Sequence, residues 1–243
     1  MLQTLRQPRW IILTILIMVL AAVFIRLGIW QLDRLEERRE LNAEVSARLE
    51  SQPVGLEHLL EEAAGDLESI QYRRVIVDGV FDPEEEVLIR SQVELGQAGF
   101  HVITPLTSPN SVLINRGWVP LTMDQPPVDA PPPVGENELV GWVDLTEERP
   151  SFGREDPAGH VDVFNRVDVE RIEEQLPYPV APVYVVAMEE SDQLPVPVDL
   201  PDAEDEGSHL AYAIQWFGFA LVGLVGFWFL VRAKGGKGSA RQG

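Results

Sequence analysis

The chain has 243 residues, 19 Lys and Arg against 39 Asp and Glu for a formal charge of −20, and no cysteine. A chain this acidic has no electrostatic footprint for a phosphate backbone, which argues against nucleic acid as a partner. Without thiols there are no disulfide scaffolds, thiolate metal sites, iron–sulfur clusters or cysteine nucleophiles. The length suits one compact domain plus extra segments.

The charge is strictly partitioned. All 39 acids lie between Asp33 and Glu206, with 12 of the basic residues, so the middle of the chain carries −27 and the two ends +7. Those ends are also apolar. Trp10 to Leu32 is interrupted only by Arg26, and Leu210 to Val231 carries no charge. At about 1.5 Å per residue each run reaches about 33–35 Å as a helix, enough to cross a hydrocarbon core of about 30 Å. In lipid only a helix satisfies the backbone of such an isolated run. Arg26 stands about a turn and a half from the end of its run, where its stem can snorkel to the interface. A cleaved signal peptide fits poorly, since the first run exceeds the usual apolar region and no small-x-small site follows it.

The basic tails orient the pair, because positive charge stays inside. The expected layout is a cytoplasmic tail over 1–9, a first transmembrane helix over 10–32, an extracytoplasmic domain over 33–209, a second transmembrane helix over 210–231 and a basic cytoplasmic tail over 232–243. No Arg- and Ser-rich, acid-poor presequence leads the chain, which suggests a bacterial plasma membrane over an organelle.

Beyond Leu32 the apolar residues Leu35, Leu41, Val45 and Leu49 recur at helical spacings, so the first helix should continue to about Leu49 and stop at Pro53. Leu56–Ala64 reads as a short helix ended by Gly65. Strands are expected over Tyr72–Phe81, Val87–Gln92, Phe100–Leu106, Val112–Trp118, Leu139–Leu145, Val161–Val167 and Val183–Met188, separated by turn formers. Asp168–Leu176 looks like a helix capped by Asp168, with Val169, Ile172 and Leu176 on one face. The connections are too short for helical crossovers. The fold class is therefore α+β, a largely antiparallel β domain with short helices between two membrane helices. Pro126–Pro133, with five prolines, should be an extended loop, and 191–207 an acidic tether.

Enzyme signatures are thin. There is no G-x-S-x-G, H-E-x-x-H or phosphate-cradling glycine loop, and abundant acids produce carboxylate pairs by chance, so no catalytic activity is expected. Among the four histidines, His58 reads as a solvated helix residue, His101 as a packed or edge strand residue and His160 as loop. His209 stands one residue before the second span, with Tyr212 and Trp216 on the same helical face. An imidazole with adjoining aromatics there can ligate haem iron, or serve as an ordinary interfacial residue in an aromatic belt. The first span ends in Gly28, Trp30, Gln31 and Arg34. Arg26 and Arg34 are suited to propionates or lipid phosphates, or to plain interface anchoring. In the strand-end sequence Asn115-Arg116-Gly117-Trp118, Gly117 permits a positive φ or close backbone approach, Trp118 can pack over the sheet and Arg116 can pair with an acid. Partner contact is the other reading of that turn.

Four ordered segments resemble the surfeit locus protein 1 family. Gly28-Ile29-Trp30-Gln31-Leu32-Asp33-Arg34 resembles its G-x-W-Q-x-x-R signature, and Gly99–Leu106 its G-[FY]-x-V-x-T-P-L strand. Asn115–Pro120 is similar to its [ND]-R-G-W-[VI] motif, and the His209–Phe217 segment to its H-x-x-Y-x-x-[QT]-W-[FY] start of the second span. With the two spans, the resemblance covers nearly the whole chain. It implies a membrane-anchored assembly factor for haem–copper terminal oxidases, a chaperone-like role in cytochrome c oxidase biogenesis. The partners implied are oxidase subunit I and haem A synthase, beside the lipid bilayer. The implied cofactor is haem A, held through His209 with Tyr212 and Trp216 on the candidate haem face; His209, as the iron ligand, is the sole metal-ligating residue. Arg38 stands where a lysine is common, and neither the acidic central domain nor the 126–133 loop is a family hallmark. A cofactor-free scaffold bridging oxidase subunits is the alternative, and a membrane hydrolase a third.

Overall fold

The computed structural model describes residues 8–94, 96–146, 156, 159–188, 193–201 and 205–237. Most of the basic tails (1–7 and 238–243) and parts of the acidic tether (191, 192 and 202–204) lie outside the described residues. The chain forms two compact units, residues 1–44 with 202–243 and residues 45–201.

The first unit is built on two long helices, α1 (Pro8–Glu50, 43 residues) and, at the far end of the chain, His209–Lys237 (29 residues). Both are long and apolar enough to cross a membrane. Their apolar side chains point outward: Ile12 is 68 % exposed, Leu221 63 % and Val222 71 %. Contiguous apolar surface of this extent marks a membrane or protein interface. Arg26 leans toward Asp33, 4.0 Å away, in the direction of the polar end of its run.

The helices bury few residues. On α1 these are Trp10 and then Ala21, Gly28, Leu35 and Asn42, the last four spaced by seven, and on the second helix Ala213, Ala220 and Val231. A seven-residue repeat is the signature of two helices winding about each other along one seam. Leu41, one of the apolar residues at helical spacing, is 50 % exposed, because the seam runs through Leu35 and Asn42 instead.

The second unit is a β-barrel. Its elements are β1 (Val54–Gly55), α2 (Leu56–Ala63), β2 (Arg74–Phe81), β3 (Val87–Glu94), β4 (Gln97–Thr107), β5 (Val112–Pro120), β6 (Glu136–Leu145), β7 (Val163–Phe164), α3 (Val169–Glu173) and β8 (Val183–Ala187). The helix His209–Lys237 is then α4. The strand order is β1-β2-β6-β8-β5-β4-β3-β7, and β4 pairs again with β2 at Thr107 and Leu106, which closes β2, β6, β8, β5 and β4 on themselves. Closure removes the edges that an open sheet leaves exposed. The pairing is mainly antiparallel, as expected, but β1–β2, β3–β7 and β5–β8 are parallel.

Alternation along the strands sorts the side chains into clusters. Val75, Val77, Leu106, Val112, Ile114, Leu139, Val143, Val183 and Val185, contributed by all five barrel strands, form one core together with Leu56, Leu59 and Ala63 of α2 and Ile70. The opposite register of four of these strands, β4, β5, β6 and β8 (Ile103, Leu113, Trp142, Tyr184 and Val186), packs with Phe164, Val169 and Ile172. Burying each such aliphatic side chain contributes about 1.5–3 kcal/mol.

Some expected elements come out differently. Residues 161–167 form a strand only at Val163–Phe164, since Asn165 turns to bind Asp156 and Asp168 then caps α3 by accepting from Arg171 N. Tyr72 has a φ of +64° and donates its N–H to Val143 O before the strand begins at Arg74. Val196, inside the segment read as a tether, exchanges both backbone hydrogen bonds with Trp118 (2.7 and 2.8 Å). The Pro-rich loop is extended but not loose: Val128 and Ala130 are buried with Leu88, Phe100, Val102 and Val119.

Gly117 has a φ of +123°, and a Cβ there would lie 2.2 Å from Val196 O. Gly135 has a φ of +91° but open space around it. Gly117→Ala should therefore lower stability by at least about 2 kcal/mol, through strain plus clash, and Gly135→Ala by about 1 kcal/mol through strain alone. Unfolding of the detergent-solubilised chain, followed by tryptophan fluorescence, measures the difference.

Candidate functional site

The expected site residues fall into two groups, one in each unit. In the first unit the end of the first apolar run meets the start of α4. Gly28 packs against the Phe217 ring so closely that a Cβ would lie 2.7 Å from its edge carbons. One turn below, Phe24 stacks on Trp216 at 5.7 Å between ring centroids. One turn above, Gln31 reaches His209, with Gln31 Oε1 and His209 Nδ1 2.8 Å apart.

Beyond the apolar run the pair is tied by polar groups. Arg38 Nε (3.2 Å) and Asn42 Nδ2 (3.0 Å) both donate to Asp205 O. Arg39 binds Glu206 in bidentate fashion at 2.6 and 2.8 Å, and the guanidinium holds that carboxyl below its usual range. This pair is solvent-exposed, so its contribution to stability is small.

Beside these contacts lies a cavity of about 450 Å³ lined by Arg34, Glu37, Arg38, Leu41, Asp205, Glu206, Gly207 and His209. Its size falls within the range typical of small-molecule sites. Of the residues singled out in the sequence, His209 and Arg34 line it. Arg34 is bonded to Glu37. Trp30 is 47 % exposed and Tyr212 48 %. Trp216 is engaged by Phe24 and by Phe219, whose ring lies 5.9 Å away. Gly28, Gln31, His209 and Trp216 thus belong to one seam, while Trp30 and Tyr212 present their rings to the surroundings.

The second group surrounds Asn115–Trp118, which the sequence suggested as a turn after a strand but which lies within β5, with Arg116 bulged between the pairs Ile103–Asn115 and Val102–Gly117. Arg116 and Glu86 form an ion pair at 3.0 Å whose side chains are 8 % and 1 % exposed. Glu86 also accepts from Thr104 Oγ1 (2.7 Å) and from Val128 N (2.8 Å), and Arg116 Nη2 donates to Ala130 O (2.6 Å). The pair therefore fixes the Pro-rich loop to the barrel. Glu86 escaped the sequence reading because it sits in a run of three acids, Glu84 to Glu86, with nothing local to mark one of them as buried. Asn115 accepts from Gly117 N and lies 3.2 Å from His101 Nδ1. Burial lowers the His101 pKa from 6.5 to about 4, and its Nε2 is sealed from solvent without a partner among the described residues. His58 is exposed, and His160 is exposed beside Asp162. No group of three or more metal-binding side chains occurs among the described residues.

A model of the SURF1 family matches residues 18–221, which include every segment of both groups. A SURF1-like protein of Rickettsia felis is 25 % identical over 220 residues, covering 85 % of this chain and 91 % of that protein. Surfeit locus protein 1 of Arabidopsis thaliana is 32 % identical over 120 residues, 44 % of this chain and 33 % of the plant protein, so the similarity spans about a third of the latter's length. A SURF1-like protein of Caenorhabditis briggsae is 31 % identical over 137 residues, 47 % of this chain and 43 % of that protein.

Glu86→Ala leaves a buried guanidinium without its partner and should cost about 3–5 kcal/mol, with protease cleavage appearing in residues 121–135. His101 gives the barrel a pH dependence. Unfolded, its imidazole takes up a proton near pH 6.5; folded, it refuses one until about pH 4. The unfolded state binds the extra proton in that window, so stability is full above pH 6.5 and falls as the pH drops toward 4. Replacing His101 by Gln should flatten this part of the stability–pH curve, read from denaturant midpoints.

Proposed function

The chain belongs to the SURF1 family, and from that premise we propose that it is a membrane-anchored assembly factor for a haem–copper terminal oxidase, with His209 the residue that holds haem iron. The observation that carries the reading is the position of His209. It lies at the start of α4, on the wall of a 450 Å³ cavity, with Nε2 unpartnered among the described residues. That donor set fits a haem: one imidazole nitrogen is available, Tyr212 offers exposed ring surface three residues further along α4, and Trp30 presents its ring beside Gln31, the residue that contacts His209. Haem, when bound, would supply the prosthetic group that the oxidase needs, and this chain would hold and present it without performing chemistry on it.

In this reading α1 and α4 are transmembrane, both termini are cytoplasmic and the barrel is extracytoplasmic, on a bacterial plasma membrane. The partition of charge supports that orientation, since the ends are basic and all acids lie between them. The partners proposed are oxidase subunit I as recipient and haem A synthase as donor, with haem A the cargo. Engagement of the His209 Nδ1 by Gln31 also suits a second reading, in which the histidine only joins the helices and the protein is a cofactor-free scaffold.

Reduced-minus-oxidised spectra of membranes separate the two. Deletion should lower the oxidase haem signal, wild type should restore it and His209→Ala should not. Restoration by both versions supports the scaffold, and no change on deletion overturns the assembly function itself.

A further inference from the structure

We infer that Gln31 is a positioning residue for His209, holding the imidazole in the tautomer that leaves the Nε2 lone pair facing the cavity. The inference rests on the reading of His209 as an iron ligand and deepens it.

A neutral imidazole carries one N–H, and the partner of one nitrogen decides which state the other adopts. At 2.8 Å, Gln31 Oε1 is within hydrogen-bonding reach of Nδ1. A carbonyl oxygen can only accept, so the proton resides on Nδ1 and Nε2 is left with its lone pair. Among the described residues nothing else competes for Nε2, and the residue lines the open cavity. Gly207 lies along this edge of the ring: a Cβ there would sit 3.4 Å from Cδ2 and 3.6 Å from Nε2, so glycine, favoured also by the φ of +67°, keeps a side chain off the Nε2 edge.

Gln31 is also the one residue of the 28–34 segment placed for this task. Trp30 is 47 % exposed, Arg34 is bonded to Glu37, and Gly28 contributes the space that brings α4 close enough for a Gln side chain to span the gap. Hydrogen-bond partners of ligating histidines fix ring orientation and raise ligand basicity, and their loss typically lowers affinity for the bound metal by about 10–100-fold.

The test is a spectrophotometric titration of the full chain in detergent with ferric haem b, combined with the midpoint potential of the bound haem. Gln31→Leu should weaken binding by about tenfold or more and raise the midpoint. Gln31→Glu is nearly isosteric and can only accept. It should bind at least as tightly as wild type, with a midpoint below it, because a carboxylate draws the Nδ1 proton more strongly and makes Nε2 a better donor to ferric iron. Equal behaviour of Gln31→Leu and wild type overturns the inference. So does equal weakening in Gln31→Leu and Gln31→Glu, which would make the contact merely structural. His209→Ala is the control for the underlying reading: if it binds haem as wild type does, or if wild type binds none, the ligation reading falls and the role of Gln31 falls with it.

Discussion

The close approach of α1 and α4 at Gly28 is the constraint on which the first unit depends. Because the apolar faces of both helices turn outward, packing contacts and polar cross-links along one seam hold them together. A residue without a side chain lets the Phe217 ring lie against the α1 backbone. The stacking of Phe24 on Trp216, the Gln31–His209 contact and the bonds to Asp205 and Glu206 then follow along the same seam at helical spacing. A bulkier residue at 28 would push α4 away and strain the contacts one turn to either side, Phe24–Trp216 and Gln31–His209.

In the barrel the comparable constraint is electrostatic. Glu86 and Arg116 are charges withdrawn from water, and each must be satisfied on several sides to remain there. Thr104, Val128 and Ala130 supply those partners, which is why a loop with five prolines and few backbone donors lies flat on β4 and β5. The backbone pair between Trp118 and Val196 does the same for the segment leading toward α4. Both attachments converge on the Asn115–Trp118 stretch of β5, and Gly117 makes the second possible by leaving room for Val196 O.

How much of this was legible residue by residue varies with the range of the interaction. The helix limits, the Asp168 cap and most strands follow local periodicity, and the structure places them within a few residues. The Arg116–acid pairing was visible in kind, since a charged residue between buried strand positions needs a partner. Its identity was not, because Glu86 is thirty residues away in a run of like residues. Barrel closure left no local trace either, as it consists of two residue pairs between β2 and β4 that look like ordinary strand ends.

The sequence by itself determined the two apolar helices, the partition of charge between ends and middle, the α+β class and the four segments that mark the family. These properties are set by composition and by spacing along the chain, where each residue's preference acts on its neighbours. Only the tertiary structure decided which face of α1 is buried, which acid meets Arg116 and that Gln31 reaches His209. Those outcomes depend on separations of 178 residues in one case and 30 in another, and on the missing atoms of Gly28 and Gly117. No local pattern encodes them, because they arise only where two distant surfaces compete for the same space.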